Sequence, residues 1–149
     1  MNISQKCQYA LRAVFELAKR QGMGVTTIAD VAAVQAIPPR FLEIILGQLR
    51  QGGFVESRRG VRGGYTLAKS PGEISAGDII RFIDGPIAPT KCVAANPEAD
   101  CPLYGGCPFM SLWARARDAV TAVYDQTSLQ DLLDEEQATA ARKTQTYCI

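Results

Sequence analysis

The sequence predicts a mainly α chain carrying one small β-hairpin, and three observations support this. Apolar residues recur at spacings of three and four through most of the chain, the period of a helix with one buried face. That period breaks once, where FVES and YTLA flank RRGVRGG, two short strand-like runs around a Gly- and Arg-rich tip. Capping and stopping residues (Ser, Thr, Pro, Gly) fall at the edges of the periodic runs.

Taken in order, Ser4 to Gln21 reads as a first helix, capped by Ser4 and stopped by Gly22, with Leu11, Val14, Phe15 and Ala18 on one face and Cys7 on that same face. Thr27 caps a short second helix, with Asp30 three residues on and Ile28, Val31 and Ala32 inward. Val34 to Ile37 turns the chain. Pro38-Pro39 opens a third helix, because proline at the first helical position gives up an N–H that has no partner there. Leu42, Ile45, Leu46 and Leu49 form its buried stripe, and Gly52-Gly53 ends it. After the hairpin, Ser75 caps a fourth helix through Ile79, Ile80 and Ile83, closed by Gly85-Pro86. Pro108 opens a long helix in which Phe109, Trp113, Ala116, Val120 and Val123 step in heptad-like fashion. Such a narrow seam most economically packs on a second copy of itself. Thr127-Ser128 starts a last helix with Leu129, Leu132 and Leu133, and the tail from Arg142 reads as loosely ordered.

Two short helices joined by a tight turn, then a hairpin, make a winged helix-turn-helix, so the expected fold is mainly α with a small β-hairpin wing plus a long dimerisation helix. The expected organisation is a DNA-binding domain over 1–85, a cysteine loop over 86–107, and the dimerisation helix with a C-terminal helix and tail over 108–149. Charge agrees with this division. Residues 1–69 hold 10 Lys and Arg against 4 acidic residues, a balance of +6, whereas residues 70–149 hold 6 against 11, a balance of −5. The basic half is the side for a polyanion.

In that architecture the second helix of the pair enters the major groove with its first residues nearest the bases. Pro39 begins it, Arg40 can donate twice to guanine, and Glu43 can accept from cytosine. Thr27 offers a hydroxyl and free helix-end amides to phosphate, Arg58, Arg59 and Arg62 suit a minor groove or phosphates, and Gln5 and Lys6 add backbone contacts. The partner expected is double-stranded DNA with a palindromic operator, met by a homodimer. An enzyme is not expected: there is no histidine, no nucleophile elbow and no Walker-type phosphate loop. No run approaches the apolar length of a membrane span and no signal-like segment opens the chain, so the expected setting is cytoplasmic.

Three of the five cysteines, Cys92, Cys101 and Cys107, lie in KCVAANPEADCPLYGGCP, among Pro, Gly and Asn with no apolar period. Packing alone gives such a loop little to hold it, whereas ligand bonds would. Three thiolates suit a soft metal or an iron–sulfur cluster, and the spacing is neither that of a zinc finger nor of a ferredoxin. A thiol–disulfide switch, a zinc staple in an adaptor of the same fold, and a free thiol trio are the other readings.

ISQKCQYALRAVFELA, IADVAAVQAIPPRFLEIILGQLRQGGFVESRRGVRGGYTLA and a cysteine trio ahead of a long helix resemble the bacterial iron–sulfur winged-helix regulators of the IscR, NsrR and RirA type, over nearly the whole chain. The resemblance implies a homodimeric repressor or activator whose promoter affinity follows the state of an iron–sulfur cluster, in response to iron, nitric oxide or redox poise. It matches Cys92, Cys101 and Cys107 to the cluster ligands and Arg59 to the wing arginine of the minor groove. A four-iron cluster is favoured over a two-iron one. The chain departs from the pattern at the fourth ligand. Met110 stands where IscR-type proteins have histidine, and Gln8 stands where NsrR-type proteins borrow an acidic ligand from the partner subunit. Cys7, beside Gln8, is the remaining thiolate candidate unless it is a buried apolar side chain; Cys148 in the tail is a bystander.

Overall fold

The computed structural model describes residues 2–94 and 101–146, so Cys148 and the middle of the cysteine loop lie outside the described residues. The helices are α1 (Gln5–Lys19), α2 (Ile28–Gln35), α3 (Pro39–Gln51), α4 (Ala76–Asp84), α5 (Met110–Gln126) and α6 (Leu129–Thr146). The strands are β1 (Val55–Arg58) and β2 (Gly64–Leu67), and single 3-10 turns occupy Pro71–Glu73 and Lys91–Val93.

The expected caps hold. Ser4 Oγ accepts from the Cys7 amide at 3.1 Å, and Thr27 Oγ1 accepts from the Asp30 amide at 3.1 Å. Ser75 and Asp78 cap each other reciprocally, as do Ser128 and Asp131 at the start of α6. The stripe Leu42, Ile45, Leu46 and Leu49 is fully buried against Ala10, Ala13, Val14 and Leu17 of α1. Leu129 joins the same core, because the chain entering α6 is stitched to the turn before α4: the Leu129 amide donates to the Ile74 carbonyl at 2.9 Å and the Ala76 amide to the Thr127 carbonyl at 2.8 Å.

Three expectations shift in detail. The strands pair one residue later on the first arm and one earlier on the second, Val55 opposite Leu67 and Arg58 opposite Gly64. The helix opened by Pro108 begins regular turns at Met110. The tail from Arg142 continues α6 to Thr146, in keeping with the high helix propensity of ATAARK.

Ala36 ends α2 with φ +49° and ψ +49°, the left-handed conformation that glycine or asparagine usually supplies, and its amide donates to the Ala32 carbonyl. Buried Ile37 follows at once and pins the turn between α2 and α3. Gly47, midway along α3, has open space where a Cβ would stand. Gly47→Ala is therefore expected to raise stability by about 1 kcal/mol, the helix-interior difference between the two residues. Urea melts of the two proteins check this, and equal midpoints would refute it.

Candidate functional site

The exposed first turns of α3 carry Pro39, Arg40, Phe41, Glu43 and Ile44, on the face opposite the buried stripe. α1 supports this end of α3. The Tyr9 ring meets Phe41 edge-on at 5.8 Å, and the Gln5 amide group donates to the Tyr9 hydroxyl at 3.1 Å. Gln5 is thus brought beside the start of α3, while Lys6 next to it is half-buried.

The wing is rooted in the helix-turn-helix by a two-bond bridge. The Thr26 amide donates to the Tyr65 carbonyl at 2.9 Å, and the Tyr65 amide to the Thr26 carbonyl at 2.8 Å. Between this root and the start of α2 lies a cleft of about 430 Å³ lined by Thr27, Arg50, Ser57, Arg58, Arg59 and Tyr65. Arg58, Arg59 and Arg62 are all exposed. Arg50, Arg58 and Arg59 on one cleft, beside a helix start, form a surface suited to phosphate oxygens. The Thr27 hydroxyl is occupied, donating to the Asp30 carboxylate at 2.7 Å, so at this helix end the unpaired backbone amides remain for an acceptor.

Two residues that shape this region were not foreseen from the sequence. Arg50, in the last turn of α3, donates to Ser57 Oγ of β1 at 3.1 Å, which carries positive charge from α3 to the wing. Its only signal in the sequence is a basic residue in a last helical turn. Glu16 is a buried carboxylate on α1 that accepts from Arg20 at 2.7 Å and from Gln35 Nε2 at 3.0 Å, while Arg12 donates to Gln35 Oε1 at 3.4 Å. This chain of polar groups fixes the end of α2 against α1. An acidic residue within an apolar stripe is its sequence signature.

The structure separates the cysteines by environment. Cys92 sits half-buried in the turn Lys91–Val93, with the Thr90 hydroxyl 3.3 Å from its sulfur. Cys107 is half-buried just before α5, and Cys101 is exposed. The 101–107 segment is a run of turns, with the Tyr104 amide donating to the Cys101 carbonyl at 2.9 Å and the Gly105 amide to Met110 Sδ at 3.4 Å. All three are free thiols, and among the described residues no three Cys, Asp or Glu side chains are gathered as a preformed metal centre. As a donor set they nevertheless fit a soft thiophilic centre: three sulfurs on irregular backbone, none committed to a disulfide.

Cys7 is a different case. It is fully buried with Ile80 and Ile87, and burial, followed by the Asp84 carboxylate, pushes its thiol up to about 12. A protonated, enclosed thiol is a poor metal ligand, so Cys7 behaves as a small apolar side chain. Among the four described cysteines of the reduced native protein, iodoacetamide is expected to modify Cys101 first and Cys7 last, which mass spectrometry of a time course reads directly. Because its folded pKa is raised, the stabilisation from neutral Cys7 is present below the unfolded thiol pKa of about 8.5 and is lost as pH climbs from there toward 12.

Gln8 is exposed on α1, held to the Ile3 carbonyl at 3.1 Å. α5 has no buried residue in the single chain. Of the expected seam, Val120 packs inward with Tyr124 against Ile80 and Ile87, whereas Phe109 and Val123 stay exposed and are joined by Leu112. Among the described residues no helix is long and apolar enough to cross a membrane.

Comparisons with known proteins bear on this arrangement. Residues 3–135 match the Rrf2 family, described as iron-dependent transcriptional regulators. The chain is 40% identical over 132 residues to the HTH-type transcriptional regulator CymR of Bacillus subtilis, covering 89% of each. The structure of CymR, described as the global cysteine regulator of B. subtilis, superposes with a TM-score of 0.77 at 38% identity, over 91% of this chain and 98% of that one. IscR of T. potens superposes with a TM-score of 0.72 at 30% identity, over 91% and 88%. The fold is thus that of winged-helix regulators, and the matching relatives carry the names of transcriptional regulators rather than enzymes. With its helix-turn-helix, its arginine wing and this likeness along almost its full length, the chain belongs to the Rrf2 family of transcriptional regulators.

Proposed function

We propose that this regulator reads a palindromic operator as a homodimer and that Cys92, Cys101 and Cys107 hold an iron–sulfur cluster whose presence sets operator affinity. The observation that carries the reading is the placement of three free thiols on turn-rich backbone that leads straight into α5. When bound, the cluster supplies iron open to oxidants and diatomic gases. The chain's residues do the rest. The three thiolates draw the turn Lys91–Val93 and the 101–107 segment together, and α5 offers Phe109, Leu112 and Val123 to a second copy. Arg40 and Glu43 read base edges, while Arg50, Arg58, Arg59 and Arg62 hold phosphates or the minor groove. With Cys7 enclosed, the exposed Gln8, from its own or the partner subunit, is the α1 group left for a fourth position.

A second reading has its own support. Cys101 is an exposed thiol, and the similar CymR is described as a cysteine regulator, so thiol oxidation without a cluster is the competing switch. One experiment separates them. Protein purified without oxygen and reconstituted with iron and sulfide is analysed for both elements and presented with randomised duplexes to select its operator. Bound iron and sulfide, with operator affinity that differs between loaded and unloaded protein at one salt concentration, supports the cluster. Neither element bound, with affinity following thiol oxidation alone, establishes the second reading instead.

A further inference from the structure

We propose that Arg117, midway along α5, is the positioning residue through which the state of Cys92 reaches the surface that α5 offers to a second copy. This rests on the reading of Cys92 as part of the sensor and adds the route by which the sensor is heard.

Cys92 lies in a 3-10 turn of three residues, Lys91–Val93, too short to keep its place by its own hydrogen bonds. Two contacts fix it from outside. The Val93 side chain is buried, and Arg117 Nη1 donates to the Val93 carbonyl at 2.8 Å across 24 residues of sequence. A guanidinium makes this a directed contact, because it is planar and its donors point in fixed directions. The neighbouring Asp118 takes another edge of that plane, accepting from Nε at 2.7 Å and pairing with Nη2 at 2.6 Å. Asp118 therefore aims Nη1 at the turn.

The other end of the same turn holds the sulfur. Thr90 Oγ1 is 3.3 Å from Cys92 Sγ, so hydroxyl, sulfur and the Val93 carbonyl belong to one four-residue unit. Ligation that draws the sulfur toward a cluster turns this unit and moves the carbonyl that Arg117 holds. Arg117 then transmits the movement to a rigid helix. Leu112 and Val123, exposed on either side of it in sequence, are displaced together. A change of angle between two copies changes the distance between two reading helices, to which palindrome binding is sensitive.

The alternative is that Arg117 only fastens a loop. The test measures the ratio of operator affinities between iron- and sulfide-loaded and unloaded protein, for the full chain and for Arg117→Met. The expected result is a ratio reduced by about tenfold, the weight of one charge-assisted hydrogen bond, with iron and sulfide per chain as in the parent. Arg117→Lys, which keeps the charge and one donor, is expected to recover part of the ratio. An unchanged ratio in equally loaded Arg117→Met overturns the role of Arg117 and leaves the cysteine reading standing. A parent protein that binds no iron, or shows no ratio, overturns both. Should Arg117→Met fail to fold or load, Asp118→Asn decides, since it loosens the aim of the guanidinium without removing it. A reduced ratio there supports the proposal, and an unchanged one ends it.

Discussion

Gly64→Ala is expected to lower operator affinity at least 100-fold while the helical core stays folded. A Cβ at position 64 would stand 2.5 Å from the Thr26 carbonyl oxygen and 2.8 Å from its carbon, and backbone cannot swing away as a side-chain tip can. Relief requires the two strands of the Thr26–Tyr65 bridge to part. That sacrifices both of its hydrogen bonds, each contributing about 0.5–1.5 kcal/mol, and releases the root of the wing. Arg58 and Arg59 then no longer face the cleft they share with Arg50. Every phosphate the wing ceases to hold takes about one unit from the salt slope of binding, so affinity falls and its salt dependence flattens together. Anisotropy titrations at several salt concentrations, beside far-ultraviolet circular dichroism, measure both effects. Parent-like affinity and slope in a folded variant would show that the wing needs no root.

Leu46→Ala addresses the other face of the same helix-turn-helix. Leu46 is fully buried in the cluster that joins α3 to α1. Truncating such a leucine costs about 2–5 kcal/mol, from the forfeited transfer of its methyl groups and the cavity left behind. For a chain of this size each kcal/mol lowers the melting temperature by about 2–4 °C, so a fall of roughly 10 °C is expected. Ile44, two residues earlier and 58% exposed, is the control. Its alanine variant should change stability by no more than about 0.5 kcal/mol. Differential scanning calorimetry of the two variants reads the contrast, and similar melting points for both would mean that α3 is not packed as described.

The helices were legible because local chemistry and packing agree there. Ser4, Thr27 and Ser75 cap where the sequence places them, and Leu42, Ile45, Leu46 and Leu49 face the core as their spacing requires. The hairpin was readable to within one residue, since Gly and Arg mark the tip but not the pairing register. α5 was harder. Its apolar residues divide between two sides, so the sequence shows one seam where Val120 faces the chain's own core and Val123 faces outward. Long-range polar contacts were illegible in principle. Nothing local couples Arg117 to Val93, Glu16 to Gln35, or Arg50 to Ser57; each pair meets only after the fold has formed. The cysteine trio was visible as a group, yet the contrast between exposed Cys101 and enclosed Cys7 depends on neighbours distant in sequence.

The left-handed alanine between α2 and α3 carries a consequence for how this hinge tolerates change. Holding a residue with a Cβ in that region costs about 1–2 kcal/mol, and Ala36 bears this strain with its neighbour Ile37 locked in the interior. Exchanging it for glycine would relax the kink but give the denatured chain about 0.4–1 kcal/mol more freedom, so about half of the relief is offset. A branched valine or isoleucine has no such offset and would force the elbow open. Position 36 is thus a corner closed to branched residues, and it sets the pitch at which α3 leaves its brace.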